Sequence, residues 1–167
     1  MASQARRLTV IGGSVCSDDQ RRLALETGRE IARAGAILLC GGRSGVMEAA
    51  AEGAQSEGGS TVGIMPGSGP DESPPNPYIG LPIYTGIGQA RNQVLVLSGE
   101  AVIGIGGSWG TLTEIGFSIR HGIPVVLLDS WALEPPDGKA EPLLHRASSP
   151  AEAVEIAMRA ANGVSRG

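Results

Sequence analysis

The run Gly106-Gly107-Ser108-Trp109-Gly110-Thr111-Leu112-Thr113-Glu114 follows an apolar segment, Ala101 to Ile105, and opens a helical pattern. Glycines in such a strand-to-helix turn let backbone N–H groups approach an anion, and the following helix adds unpaired N–H groups and a partial positive charge. The chemistry this spacing suits is the cradling of a phosphate. Neither a dinucleotide fingerprint nor a P-loop fits, because G-x-G-x-x-G fails around Gly106 and no Gly-Lys-Ser/Thr follows. The same turn would also serve close packing of strand on helix. Two further glycine turns, Gly12-Gly13-Ser14 and Gly41-Gly42 with Gly45, each end an apolar run, and three such turns at one sheet edge favour a ligand.

Six side chains stand out beside these turns. From Ser73 through Thr113 the only charged residues are Arg91 and Glu100, so the segment reads as interior. An arginine kept there needs a carboxylate, Glu114 or Glu100, or a bound phosphate. Asn92 beside it could hydrogen-bond a ligand or cap backbone. Thr111 and Glu114 have the spacing of a capping box, which predicts the carboxylate on the N-cap amide. Glu114 also points away from the packed face of Leu112, Ile115 and Ile119, and a first-turn side chain leans toward the N-terminus, which suits contact with a ligand. Arg43 lies in the second glycine turn, where it could meet an anion or stay solvated. Trp109 could wall a flat ligand or mark a subunit contact.

The elements that must position these groups follow from hydrophobic period. Leu8 to Ile11 reads as a buried strand. Ser17 and Gln20 form a capping box for a helix closed by Gly35. Ala36 to Cys40 is a second strand and Ser44 to Ala54 a second helix. Thr61 to Met65 is a third strand. Pro66 to Pro77 has too many prolines for helix or central strand and is a loop. Leu81 to Tyr84 is a fourth strand, and Gly88 to Gly99 a helix whose Val94-Leu95-Val96-Leu97 is apolar nearly all round, as at a subunit contact. Ala101 to Ile105 is a fifth strand, Thr111 to Arg120 a helix ending near His121, and Pro124 to Leu128 a sixth strand. Trp131 to Ser148 is irregular or only weakly structured. Ser149 caps a last helix that begins at Pro150 and reaches about Ala161. Alternating strands and helices predict right-handed βαβ units in one domain spanning the chain.

Composition narrows the function classes. Only 3% of the 167 residues are aromatic, 13 basic residues face 17 acidic ones, and the net charge is −4. A base-stacking platform, a nucleic-acid surface or an anionic-membrane surface is not expected. No apolar stretch approaches the length of a membrane span, and Met1 to Arg7 lacks a signal peptide's apolar segment, so the expectation is a cytoplasmic protein. Cys16, Cys40, His121 and His145 lack metal-ligand spacing.

Taken together, Val10-Ile11-Gly12-Gly13-Ser14, Cys40-Gly41-Gly42 through Gly45-Val46-Met47-Glu48-Ala49-Ala50, Asn76-Pro77-Tyr78, Ala90-Arg91-Asn92 and Gly106 to Glu114 resemble a known superfamily. It contains the LONELY GUY phosphoribohydrolases, once called lysine decarboxylases, and the molybdenum cofactor carrier proteins. The carrier branch is the more similar, and the resemblance spans about Leu8 to Leu128. It implies a Rossmann-like three-layer α/β/α fold with a mostly parallel sheet of six or seven strands. In the hydrolase branch the turn reads Pro-Gly-Gly-x-Gly-Thr-x-x-Glu; here Gly106 replaces the proline and Ser108 the second glycine. Arg91-Asn92 stands where that branch has Arg-Lys. The resemblance implies Arg91 and Glu114 as catalytic positions if the protein is an enzyme. The expected ligand-binding set is Gly12, Gly13, Ser14, Gly42, Arg43, Arg91, Asn92, Gly106, Gly107, Ser108, Trp109, Gly110, Thr111 and Glu114. The implied ligand is molybdenum cofactor or a nucleoside monophosphate, held by a homodimer or homotetramer.

Overall fold

The computed structural model describes residues 4–163. Its elements run β1 (Arg7–Gly12), α1 (Asp18–Arg33), β2 (Ile37–Cys40), α2 (Val46–Ser56), β3 (Thr61–Met65), β4 (Leu81–Tyr84), a 3₁₀ turn (Gly88–Ala90), α3 (Arg91–Ser98), β5 (Ala101–Gly106), α4 (Trp109–Arg120), β6 (Val125–Ser130), β7 (Leu144–Ala147) and α5 (Pro150–Ala161). All strand pairs are parallel, in the order β4-β3-β2-β1-β5-β6-β7. The chain is thus a Rossmann-like α/β fold with seven strands.

One face of the sheet, with Leu8, Val10 and Leu38, packs against α1, α2 and α5; the other, with Ile11, Leu39 and Val102, packs against α3 and α4. Burial on both faces explains why the central strands read as unbroken aliphatic runs. Glycine does structural work here too. A Cβ at Gly28 would strike the Ala50 carbonyl and one at Gly53 the Leu25 carbonyl, so α1 and α2 lie backbone to backbone. Among the described residues no helix is long and apolar enough to cross a membrane.

Three local expectations change. Leu144–Ala147, expected to be irregular, adds β7 beside β6; its residues are only partly buried, so its hydrophobic pattern is weak at the sheet edge. Gly88 to Gly99 is not one helix: a 3₁₀ turn ends at Ala90 and α3 starts at Arg91. Helix α4 starts at Trp109, with Ser108 as N-cap and its N–H donating to Thr111 Oγ1 at 3.2 Å. Thr111 is therefore inside the first turn, and Glu114 is no partner in a capping box.

Candidate functional site

The sheet order reverses between β1 and β5, which lie side by side with their first residues in register from Leu8 and Ala101. Crossovers leave β1 and β5 toward opposite faces, opening a crevice at their carboxyl ends where ligands of such folds gather. The turns after β1, β2 and β5 meet there. A cleft of about 190 Å³ is lined by Gly12, Ser14, Arg43, Met47, Gln89, Arg91, Asn92, Ser108, Gly110, Thr111 and Glu114.

Arg91 is the cationic centre. It is only 4% exposed, and its Nη1 donates to the Ile64 carbonyl at 2.9 Å. Burial lowers its pKa, opposed chiefly by Glu114. Its Nε is buried without a partner among the described residues, as is Asn92 Oδ1. Buried polar groups ordinarily find partners, so the Arg91 Nε–H is open to an acceptor and the Asn92 Oδ1 to a donor. Glu100, the other carboxylate weighed as a partner, accepts from Arg6 Nη1 at 2.7 Å and from the Arg7 N–H at 2.9 Å. Arg91 and Glu114 attract one another without a salt-bridge contact.

Glu114, 8% exposed, faces Arg91 from the first turns of α4. Burial pushes its carboxyl up to about 7, against the pull of Arg91. The helix N-terminus, a buried guanidinium and a carboxyl that titrates near neutrality give the cleft a net capacity for an anion. Cys40, buried behind Arg91, has its thiol pushed up to about 11 by burial and is an inert neighbour.

Not every expected residue reaches this cleft. Gly13 is buried, and its carbonyl accepts from the Val46 N–H at 3.0 Å. Gly42, at φ +70°, packs against Met65. Gly106 and Gly107 line a separate depression of about 270 Å³ with Gln20, Asp129, Ser130 and Trp131. Trp109 is 75% exposed and leans on Trp131, ring centroids 5.3 Å apart. Arg43 is exposed and shared between the cleft and a groove of about 450 Å³ under the proline-rich loop. His121 sits at the C-cap of α4, within 3.3 Å of Gln93.

Sequence reading missed Met47 and Gln89, which line the cleft, and the role of Gly41. A Cβ at Gly41 would collide with Arg91 Nη1 and Met47 Sδ, so the bare glycine makes the seat for the guanidinium. Asn76, quoted only as part of a motif, ties the proline loop to the second glycine turn. Its Nδ2 donates to the Arg43 carbonyl at 2.9 Å, and its N–H donates to that of Gly42 at 2.8 Å.

Comparison with known proteins places these features in a family. The profile of the SLOG cluster4 family matches residues 5–159. A protein of Archaeoglobus fulgidus, described only as uncharacterized, is 38% identical over 122 residues, 73% of this chain and 79% of its own. The molybdenum cofactor binding protein from the phototrophic bacterium Rippkaea orientalis superposes with a TM-score of 0.83 at 30% identity, covering 95% of this chain and 98% of that one. The molybdenum cofactor carrier protein from Chlamydomonas reinhardtii gives 0.83 at 31% identity, covering 96% and 100%. With its parallel sheet, its switch-point cleft and a match over almost its whole length, the chain belongs to the SLOG cluster4 family.

Proposed function

We propose that the protein binds and carries a phosphate-bearing heterocycle, with molybdenum cofactor as its cargo. The observation that carries the reading is the buried Arg91 guanidinium with its unmatched Nε, set beside Asn92 and opposite the N-terminus of α4. A phosphate monoester supplies the acceptors this donor set lacks, and Gly110 and Ser108 give it access to backbone N–H groups. The likeness to two proteins named for molybdenum cofactor, at about 30% identity over nearly full length, supports the choice of cargo. The residues fit the group's phosphate; the metal would travel as part of the cargo.

A second reading, hydrolysis of the N-glycosidic bond of a nucleoside 5′-monophosphate, draws on one observation, the Glu114 carboxyl near 7 beside a cation. A single carboxylate is thin for glycosidic cleavage, which ordinarily uses two. Glu114→Gln separates the readings. As a carrier, the wild type releases no base from adenine, guanine or cytosine monophosphates, and the substitution changes stability instead. The folded-state pKa lies above the ordinary 4.5, so the contribution of this group is complete below pH 4.5 and is lost as pH rises through 7. Glu114→Gln is therefore expected to be more stable than wild type at pH 8 by on the order of 3 kcal/mol, read as a higher melting temperature, with the gap closing toward pH 5. Base release by wild type that falls 10²–10³-fold in Glu114→Gln, roughly 3–4 kcal/mol, would instead establish the hydrolase.

Assembly into a homodimer or homotetramer belongs to the same proposal. Leu95 and Val96 are buried in the chain, while Val94 and Leu97 on α3 are each 39% exposed and Leu81 and Ile83 on the edge strand β4 are 57% and 44% exposed. Such a set on one subunit suits a contact between copies. Light scattering is expected to return a multiple of the 17.0 kDa chain mass, and a monomer at micromolar concentration would contradict it.

A further inference from the structure

The depression on the far side of the Gly106–Gly110 turn is built from unusual parts. Asp129 is the sole non-glycine residue with positive φ among those described, at +48°. It is also an extra residue in the sheet: β5 and β6 pair Ile105 with Leu128 but Gly106 with Ser130. A bulge of this kind re-aims a side chain at the end of a strand, and aspartate is among the few residues that adopt the left-handed backbone readily. The Asp129 carboxylate is exposed and accepts from Gln20 Nε2 at 3.4 Å. Both tryptophans of the chain, in a sequence with only 3% aromatic residues, meet beside it. Trp131 lies over Gly107, and its Nε1 has no acceptor among the described residues. Gly107, exposed and without a side chain, lines this depression, while its chain neighbour Ser108 lines the anion cleft.

We propose that this depression is the subsite for the ligand's heterocycle, in which Asp129 accepts the paired N–H groups of a 2-amino-4-oxopyrimidine edge while Trp109 stacks on the ring. That edge, shared by guanine and pterins, offers an N–H and an exocyclic NH₂ side by side, a match for two carboxylate oxygens. Adenine presents an acceptor at the same ring position, and hypoxanthine lacks the exocyclic amine. The subsite rests on the phosphate reading above, because the ring reaches Asp129 only when its phosphate is anchored across Gly107.

The test is calorimetric titration of the full chain with ribose 5-phosphate, AMP, IMP, GMP and neopterin monophosphate. GMP or neopterin monophosphate is expected to bind at least about tenfold more tightly than IMP or AMP, since a site built to hydrogen-bond a group rejects ligands without it. The tighter of the two names the source of the edge. Asp129→Asn keeps the shape and the left-handed backbone, which asparagine tolerates well. It is expected to erase the preference while leaving ribose 5-phosphate affinity unchanged. Trp109→Ala, on an exposed side chain, weakens the base-bearing ligands together and spares ribose 5-phosphate. Equal affinity for GMP, IMP, AMP and the pterin with normal ribose 5-phosphate binding overturns the subsite and leaves the phosphate cradle standing. Failure of ribose 5-phosphate and every other monoester to bind overturns the cradle and this subsite with it.

Discussion

Gly110→Val is expected to abolish stabilisation by phosphate monoesters while the protein stays folded. A Cβ at Gly110 would meet only Ser108 Oγ, at 3.6 Å, so the substitution adds bulk without a clash in the core. Gly110 lines the anion cleft in the first turn of α4, and the isopropyl group covers the N–H groups that an incoming phosphate must approach. In wild type, ligand at about 100 times its dissociation constant adds roughly 2.7 kcal/mol. For a chain of this size that is a rise in melting temperature of about 5–10 °C. Gly110→Val should melt near the unliganded wild type with or without ligand. A preserved shift would mean that the phosphate does not sit at this helix terminus.

Arg91 supports an equally large effect. Arg91→Met keeps much of the volume but removes the donor on the Ile64 carbonyl, the charge opposite Glu114 and the phosphate contact. Charge-assisted hydrogen bonds contribute about 1.5–3 kcal/mol each, so phosphate-ester affinity should fall roughly 10- to 150-fold. Gly41→Ala should approach the same loss from outside the cleft, because its methyl group takes the space of Arg91 Nη1. Isothermal titration with ribose 5-phosphate reads both variants. Affinity unchanged in Arg91→Met would remove the guanidinium from the site, and affinity unchanged in Gly41→Ala would remove its proposed seat.

The uneven legibility of the sequence has physical causes. Strands β1, β2, β3, β5 and β6 were readable because a parallel sheet covered on both faces demands unbroken aliphatic runs, and α1 because its Ser17–Gln20 capping box has both halves formed. Strand β7 was not, since an edge strand with partly buried residues keeps no such run. The start of α4 was misplaced because Thr111-x-x-Glu114 and Ser108-x-x-Thr111 both satisfy capping spacing, and only the fold chooses between them. Arg91 and Glu114 could be picked out by isolation and by helical phase, and both line the same cleft. Gly41 could not be distinguished from Gly42 in sequence, because its role is defined by a side chain fifty residues away. Nor could Gly28 and Gly53 be separated from site glycines, since the helix contact that requires them is tertiary. Asp129 left no signal, as a bulge depends on the register of two strands.

The account is tested most directly by mass spectrometry of the small molecules released from the native protein. The binding and carrier reading predicts recovery of a pterin bearing a phosphate, in amounts that scale with protein and fall in Gly110→Val. Recovery of AMP in its place would contradict molybdenum cofactor as the cargo and turn the cleft over to a nucleotide.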